Sequence, residues 1–326
     1  MKVFAALTAA VIGTLIVAGC SSTTDNSGQE STRTVDHSYG TTEVPVHPQR
    51  IVATDEYAAM SLLAVGVVPA VVFTGFGSPI GDRLSAQAGS EVIEVPPTGA
   101  PPTEDVLAQN PDLVVSSDYG DDTLYRAISE TVPTVPMPYA TPWRESLAFT
   151  AGVFDRDDDA ARLESVLDSD IDALRSDVAA HPVSLSVLMN SSDILAVAAP
   201  TAPSSILAAE VGISAPPMQA DPSTGGTGGP WTALSPEVLP SQNADIVAVF
   251  DEGVYSAENV RRTPGFAEAT GDRAVEVNGD MWFAGHPFAV YWLVRDLRAL
   301  IDGNVGDVGS EATAQSRYDD FVAASR

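Results

Sequence analysis

The side chains best equipped for acid–base, thiol or metal chemistry are scarce in this 326-residue chain: four histidines and one cysteine. His37, His47, His181 and His286 are widely spread, and the first two share a short polar segment near the start. They do not supply the three or four His, Asp or Glu ligands that a manganese or zinc site would draw from several strand ends. There is no Gly-x-Ser-x-Gly elbow and no His-Glu-x-x-His pair. The stretch GGTGG (225–229) runs into Pro230 and Trp231 without the Lys-Ser/Thr of a phosphate loop, and reads as a flexible connection. We therefore expect no catalytic activity, no metal site and no resident cofactor. What the chain does offer is rings and guanidinium groups just beyond short apolar runs. Tyr57 follows the first run, Phe76 and Arg83 lie in the loop after the second, and Tyr119 follows the fourth. Tyr139, Trp143 and Arg144 precede a long helical stretch, and Trp231, Tyr255, Arg261, Arg262, Trp282 and His286 come later. Loops at strand ends are where α/β proteins hold ligands, so these residues suit binding and not bond-making.

The lone Cys20 has a different use. Lys2 is followed by an apolar run over 3–17, too short to span a membrane, which ends in Ile16-Val17-Ala18-Gly19-Cys20. This resembles a bacterial lipobox, so residues 1–19 are expected to be a cleaved signal peptide and Cys20 the lipid-bearing first residue. A single cysteine has no disulfide partner in an oxidising compartment, which agrees. The polar stretch after it, 20–33, suits a flexible tether. The expected location is the extracytoplasmic face of a bacterial cell membrane. Removing 1–19 removes the only lysine and leaves 15 arginines against 44 acids, a formal charge of −29. Such a surface repels nucleic acid, and an anionic ligand would need a local arginine cluster.

Two regions of short apolar runs alternate with helical patterns. Strands are expected at 50–55, 70–74, 92–95 and 112–117, then at 184–190, 194–198, 246–251 and 274–277, with helices at 56–65, 204–211 and 286–302. Alternation of this kind makes an α/β fold of mostly parallel sheets covered by helices. Between the regions, 157–180 carries Leu163, Val166, Leu167, Ile171, Leu174 and Val178 at spacings of three and four, with no Gly or Pro before Pro182. It predicts one long helix bridging two lobes. The lobes repeat each other: EDVLAQNPDLVV (104–115) matches EVLPSQNADIVAV (237–249), each with a Glu eight residues ahead of an Asp, and SLLAVG (61–66) loosely matches SILAAEVG (205–212). The expected organisation is a first lobe over 34–150, a bridging helix region over 151–181 and a second lobe over 182–326.

TVDHSYGTTEVPVHPQRIV (34–52), SLLAVGVVPA (61–70), PTEDVLAQNPDLVV (102–115) and WTALSPEVL (231–239) are together similar to the siderophore- and cobalamin-binding subfamily of ABC-importer solute-binding proteins. The resemblance runs from about Thr34 to the C-terminus. It implies two Rossmann-like lobes joined by one rigid helix, with the ligand in the cleft between them and one Glu on each lobe docking into arginine pockets of a permease dimer. The matching glutamates are Glu104 and Glu237. Tyr119 and Trp231 fall where ferrichrome-type binders present a ligand-facing tyrosine and tryptophan. Ferric siderophores are bulky, partly apolar and often anionic, so aromatic walls with arginine donors are expected around them, and Tyr57, Arg83, Arg262 and Trp282 complete the candidate set. The function expected is capture of a ferric siderophore or similar iron chelate by a monomer, for delivery to an ABC permease. Heme or cobalamin as ligand, or a sensor or hand-off role without transport, stay open as alternatives.

Overall fold

The computed structural model describes residues 31–75, 78–96, 100–139, 141–221 and 229–325. The signal segment, Cys20, most of the tether, Phe76 and most of the GGTGG stretch lie outside the described residues. The strands, in chain order, are β1 (Thr32–His37), β2 (Gly40–Pro45), β3 (Ile51–Ala53), β4 (Val71–Thr74), β5 (Glu91–Glu94), β6 (Leu113–Asp118), β7 (Thr134–Pro138), β8 (Leu185–Ser191), β9 (Ile194–Ala198), β10 (Trp231–Ala233), β11 (Ile246–Asp251) and β12 (Ala274–Asn278). β1 and β2 form an antiparallel hairpin. The rest make two five-stranded sheets, ordered β5-β4-β3-β6-β7 and β10-β9-β8-β11-β12.

Both sheets follow one plan: the first strand sits in the middle, the next two build outward on one side, and the last two on the other. The first sheet is parallel throughout. In the second, β9 runs antiparallel to β8 and β10, because β8 and β9 are joined through Ser192 and Asp193, both at positive φ. Two residues make a tight hairpin turn but cannot make the crossover that a parallel neighbour requires. Besides the β1–β2 hairpin, two strands lie outside those expected from sequence. β7 reads Thr-Val-Pro-Met-Pro, whose prolines argue against a central strand, and it is an edge strand, where a missing N–H costs little. Trp231, expected in a loop, begins β10, also an edge.

The internal repeat has a physical meaning. Asp112, just ahead of β6, accepts hydrogen bonds from the amides of Gln49 and Arg50 that lead into β3. Asp245, just ahead of β11, accepts from the amide and hydroxyl of Ser184 ahead of β8. In each lobe the repeated Asp thus ties the fourth strand to the start of the first. Gly66 and Gly212, the ends of the looser match, sit at φ +73° and +88° just past the helices Glu56–Ala64 and Pro203–Glu210, the left-handed position a helix end reserves for glycine.

Helix Asp157–Ala180 carries the chain from the first sheet to the second. It is 24 residues long, about 36 Å at 1.5 Å per residue. Asp157, Asp158 and Asp159 complement the helix dipole at its first turn, and Leu163, Leu167, Ile171, Leu174 and Val178 bury one face. It does not hold the lobes alone. Helix Pro287–Ile301, buried along most of its length, packs along it and also touches helices Glu56–Ala64 and Trp143–Phe154 of the first lobe. Arg295 pairs with Asp170 and Arg298 with Asp177, each at 3.1 Å, stitching the two helices together. One continuous apolar core therefore runs from Met60, Ile80 and Leu84 through the long helix to Trp282 and Trp292. No helix among the described residues is long and apolar enough to cross a membrane.

Candidate ligand-binding site

In sheets of this order the chain builds outward from the first strand to one side and then to the other, and where the order reverses, between the first and fourth strands, a crevice opens beyond their carboxyl ends. In the first lobe that crevice lies past β3 and β6. Thr54, Asp55, Ser117 and Tyr119 line a cavity of about 500 Å³ there, together with Tyr39 and Tyr125. Asp55 shapes its floor: its carboxylate caps helix Glu56–Ala64 at the Ala58 amide and accepts from the amide and hydroxyl of Ser117, so β3 and β6 are locked at the crevice. In the second lobe the matching ends of β8 and β11 give Ser191, Ser192 and Tyr255, which with Trp231, Ile194 and Phe283 line a cavity of about 270 Å³.

Tyrosines join these two cavities. Tyr139, at the end of β7, stands edge-on to Tyr119 with ring centres 4.6 Å apart and to Tyr57 at 5.3 Å. Tyr57 packs with Ala284 and Ala289 from the other lobe, and Tyr255 lies 6.2 Å from Phe283. The ring of Tyr255 rests on the backbone of Gly279, where a β-carbon would stand 2.3 Å from its Cδ2, so only glycine admits this seat. Tyr119 is 39% exposed and Trp231 44% exposed, so each presents part of its ring to the cavity it lines. Burial pushes the phenols of Tyr57, Tyr139 and Tyr255 well above their ordinary pKa, so they stand as neutral hydrogen-bond donors.

Beneath the rings, carboxyl groups of the two lobes meet. Glu56 accepts from the amides of Gly75 and Ser78. Asp280, 1% exposed, has its pKa raised, chiefly by burial and then by the charge of Glu56, and its Oδ2 has no hydrogen-bond partner. Burial and the Glu56 charge both favour the protonated form of Asp280, which lets two acids share the space.

The chain matches the family model for periplasmic binding protein over residues 49–274. It belongs to the periplasmic binding protein family. A curated relative, the probable siderophore-binding lipoprotein YfiY of Bacillus subtilis (strain 168), is 25% identical over 51% of this chain, and the match spans about half of that relative, 53%. Among solved structures, the periplasmic catecholate-siderophore binding protein VctP from Vibrio cholerae aligns at TM-score 0.65 and 19% identity, covering 82% of this chain and 99% of that one. The FhuD protein from S. pseudintermedius aligns at TM-score 0.66 and 15% identity, covering 83% and 98%. These likenesses extend to the two-lobed fold.

Within this periplasmic binding protein the candidate residues separate. Tyr119 lines the first cavity and Trp231 the second, the latter with Tyr255 and Phe283, whereas Tyr57 is buried beneath Tyr139 and lines neither. Three others lie farther off. Trp282 is fully buried in helix Gly279–Phe283, its indole N–H donating to Asp296 at 2.8 Å, so it belongs to the core between the lobes. Arg83 is not in a loop: Ser78 caps and Pro79 opens helix Pro79–Ala88, and Arg83 reaches across to the Glu311 carbonyl and carboxylate. Arg262 is exposed at the end of helix Ala257–Arg261 and pairs with Glu258. Arg144 is held by Asp168 and Glu210, and His286 is buried, its Nδ1 capping helix Pro287–Ile301 at Ala289. Glu104 and Glu237 both lie exposed in the first turn of equivalent helical segments, and Glu237 accepts from the Ser235 hydroxyl. Tyr39 and Tyr125 were missed. Tyr39 sits at the tip of the β1–β2 hairpin and reaches the cavity only because its hydroxyl donates to Asp118, a contact no local pattern announces.

Proposed function

We propose that this chain captures a ferric siderophore or similar iron chelate in the cleft between its lobes and hands it to an ABC importer at the extracytoplasmic face of the membrane, anchored through lipidated Cys20. The observation that carries this reading is the pair of equivalent crevices, past β3/β6 and past β8/β11, walled by exposed or edge-stacked rings. A bulky chelate with an apolar rim fits such walls, and it brings its own ligands to the iron. The name carried by the curated relative agrees. Titration of the full-length protein in detergent with ferric chelates, heme and cobalamin, followed by tryptophan quenching, tests it. Saturable submicromolar quenching by a ferric chelate is expected, and quenching by heme or cobalamin alone would sink it.

Glu104 and Glu237 are the proposed permease contacts. They occupy the same place in the repeat of each lobe, so two carboxylates can meet two symmetric basic pockets. Changing both to Ala is expected to leave chelate affinity unaltered and to reduce uptake at least about tenfold, the scale of losing two charge-assisted contacts. Undiminished uptake would remove the docking assignment.

A further inference from the structure

Resting on that reading, we infer that the chelate this cleft accepts carries a neutral or positive net charge, in the manner of a ferric tris-hydroxamate bearing a free ammonium, and that anionic tris-catecholate or citrate complexes are excluded. The starting point is where the positive charge of the molecule has gone. Among the described residues every arginine is already engaged by a carboxylate or a main-chain carbonyl: Arg144 by Asp168 and Glu210, Arg83 by Glu311, Arg261 by Glu276, Arg262 by Glu258, Arg50 by the Gln109 carbonyl, and the remainder likewise. None of them lines the cavities that flank the cleft. The segments outside the described residues at 76–77, 97–99, 140 and 222–228 contain no Arg or Lys in the sequence.

What faces the crevice instead is neutral or acidic. The phenols are protonated donors. Asp121 lines the larger cavity, and hydrogen bonds from the Thr123 hydroxyl and amide hold it ionised. Asp118 lies behind this lining, where it accepts from the hydroxyl of Tyr39; burial opposes its charge, but hydrogen bonds from Tyr39, Ser38 and the Gly120 amide outweigh it and keep its pKa below the usual value. The field of a chain with formal charge −28 has the same sign. A trianion entering this space meets no counter-charge and several carboxylates, whereas a cation is drawn in along the field and an ammonium finds acceptors at the rim.

The test is the same quenching titration with three ferric complexes of comparable size: desferrioxamine B (cationic), ferrichrome (neutral) and enterobactin (trianionic). The cationic complex is expected to bind at least about tenfold tighter than the trianionic one at low salt, with the gap shrinking as ionic strength screens the cleft. Asp121→Asn, which keeps an acceptor for the Thr123 amide, is expected to narrow the gap about two- to threefold. Equal or tighter binding of the trianionic complex overturns the charge assignment while leaving siderophore capture standing. Failure of all three to quench overturns both.

Discussion

At the scale of single residues, this protein places its titratable groups where burial controls them. Asp82, at the start of helix Pro79–Ala88, has its pKa raised to about 7 by burial and then by the charges of Glu56 and Glu94, and its Oδ1 has no hydrogen-bond partner. The native state therefore holds this proton more tightly than the unfolded chain does. Stability from this group falls as pH rises from about 4 to about 7 and is level above that. Asp82→Asn should match the parent near pH 4 and exceed it by about 1–2 kcal/mol at pH 8 in urea unfolding, less than the whole shift implies because the carboxyl is partly solvated. His286 acts with the opposite slope. Burial lowers its pKa to about 3, and as a neutral cap it is lost only when acid protonates it, so its contribution declines as pH falls below about 6.5.

At the scale of elements, the decisive join is a buried carboxylate. Asp296, on helix Pro287–Ile301, accepts from the Trp282 indole, the Gly309 amide and the Arg317 guanidinium, and Arg317 also lies over the Trp292 ring. Three segments are fixed by one side chain. Removing it leaves Arg317 with main-chain carbonyls but no counter-charge, and leaves a buried indole N–H without its acceptor, so Asp296→Ala should cost about 3–5 kcal/mol by denaturant unfolding. This join also explains what sequence reading could reach. Most of the sheet strands, the long helix and the repeat were legible because each is written in local periodicity: the Leu163-to-Val178 stripe, the strand runs after Asp112 and Asp245, the glycines at 66 and 212. Trp282 was misplaced because its position after β12 looks the same whether the ring faces a cleft or a core, and only helix Pro287–Ile301 decides. Arg83 carried a readable signal in Ser78-Pro79 and Gly89, a cap, an N1 proline and a left-handed stop. Tyr39 carried none.

For the whole molecule, stiffness follows from the shared core. The lobes are joined by a long helix whose buried face is matched by a second helix touching both halves, so closing on a ligand cannot pivot on a slack hinge. Free and chelate-loaded protein should have radii of gyration within about 1 Å of each other by small-angle scattering; a shrinkage of several ångströms would contradict the rigid strut.

The order in which the chain emerges gives that shared core a consequence in time. The inner layer of the first lobe, with Met60, Ile80 and Leu84, is covered only when the stretch beyond Pro287 arrives, more than two hundred residues later. Until then a growing polypeptide keeps this surface bare and stays pliable. A premature stop ahead of that helix would leave neither half able to settle.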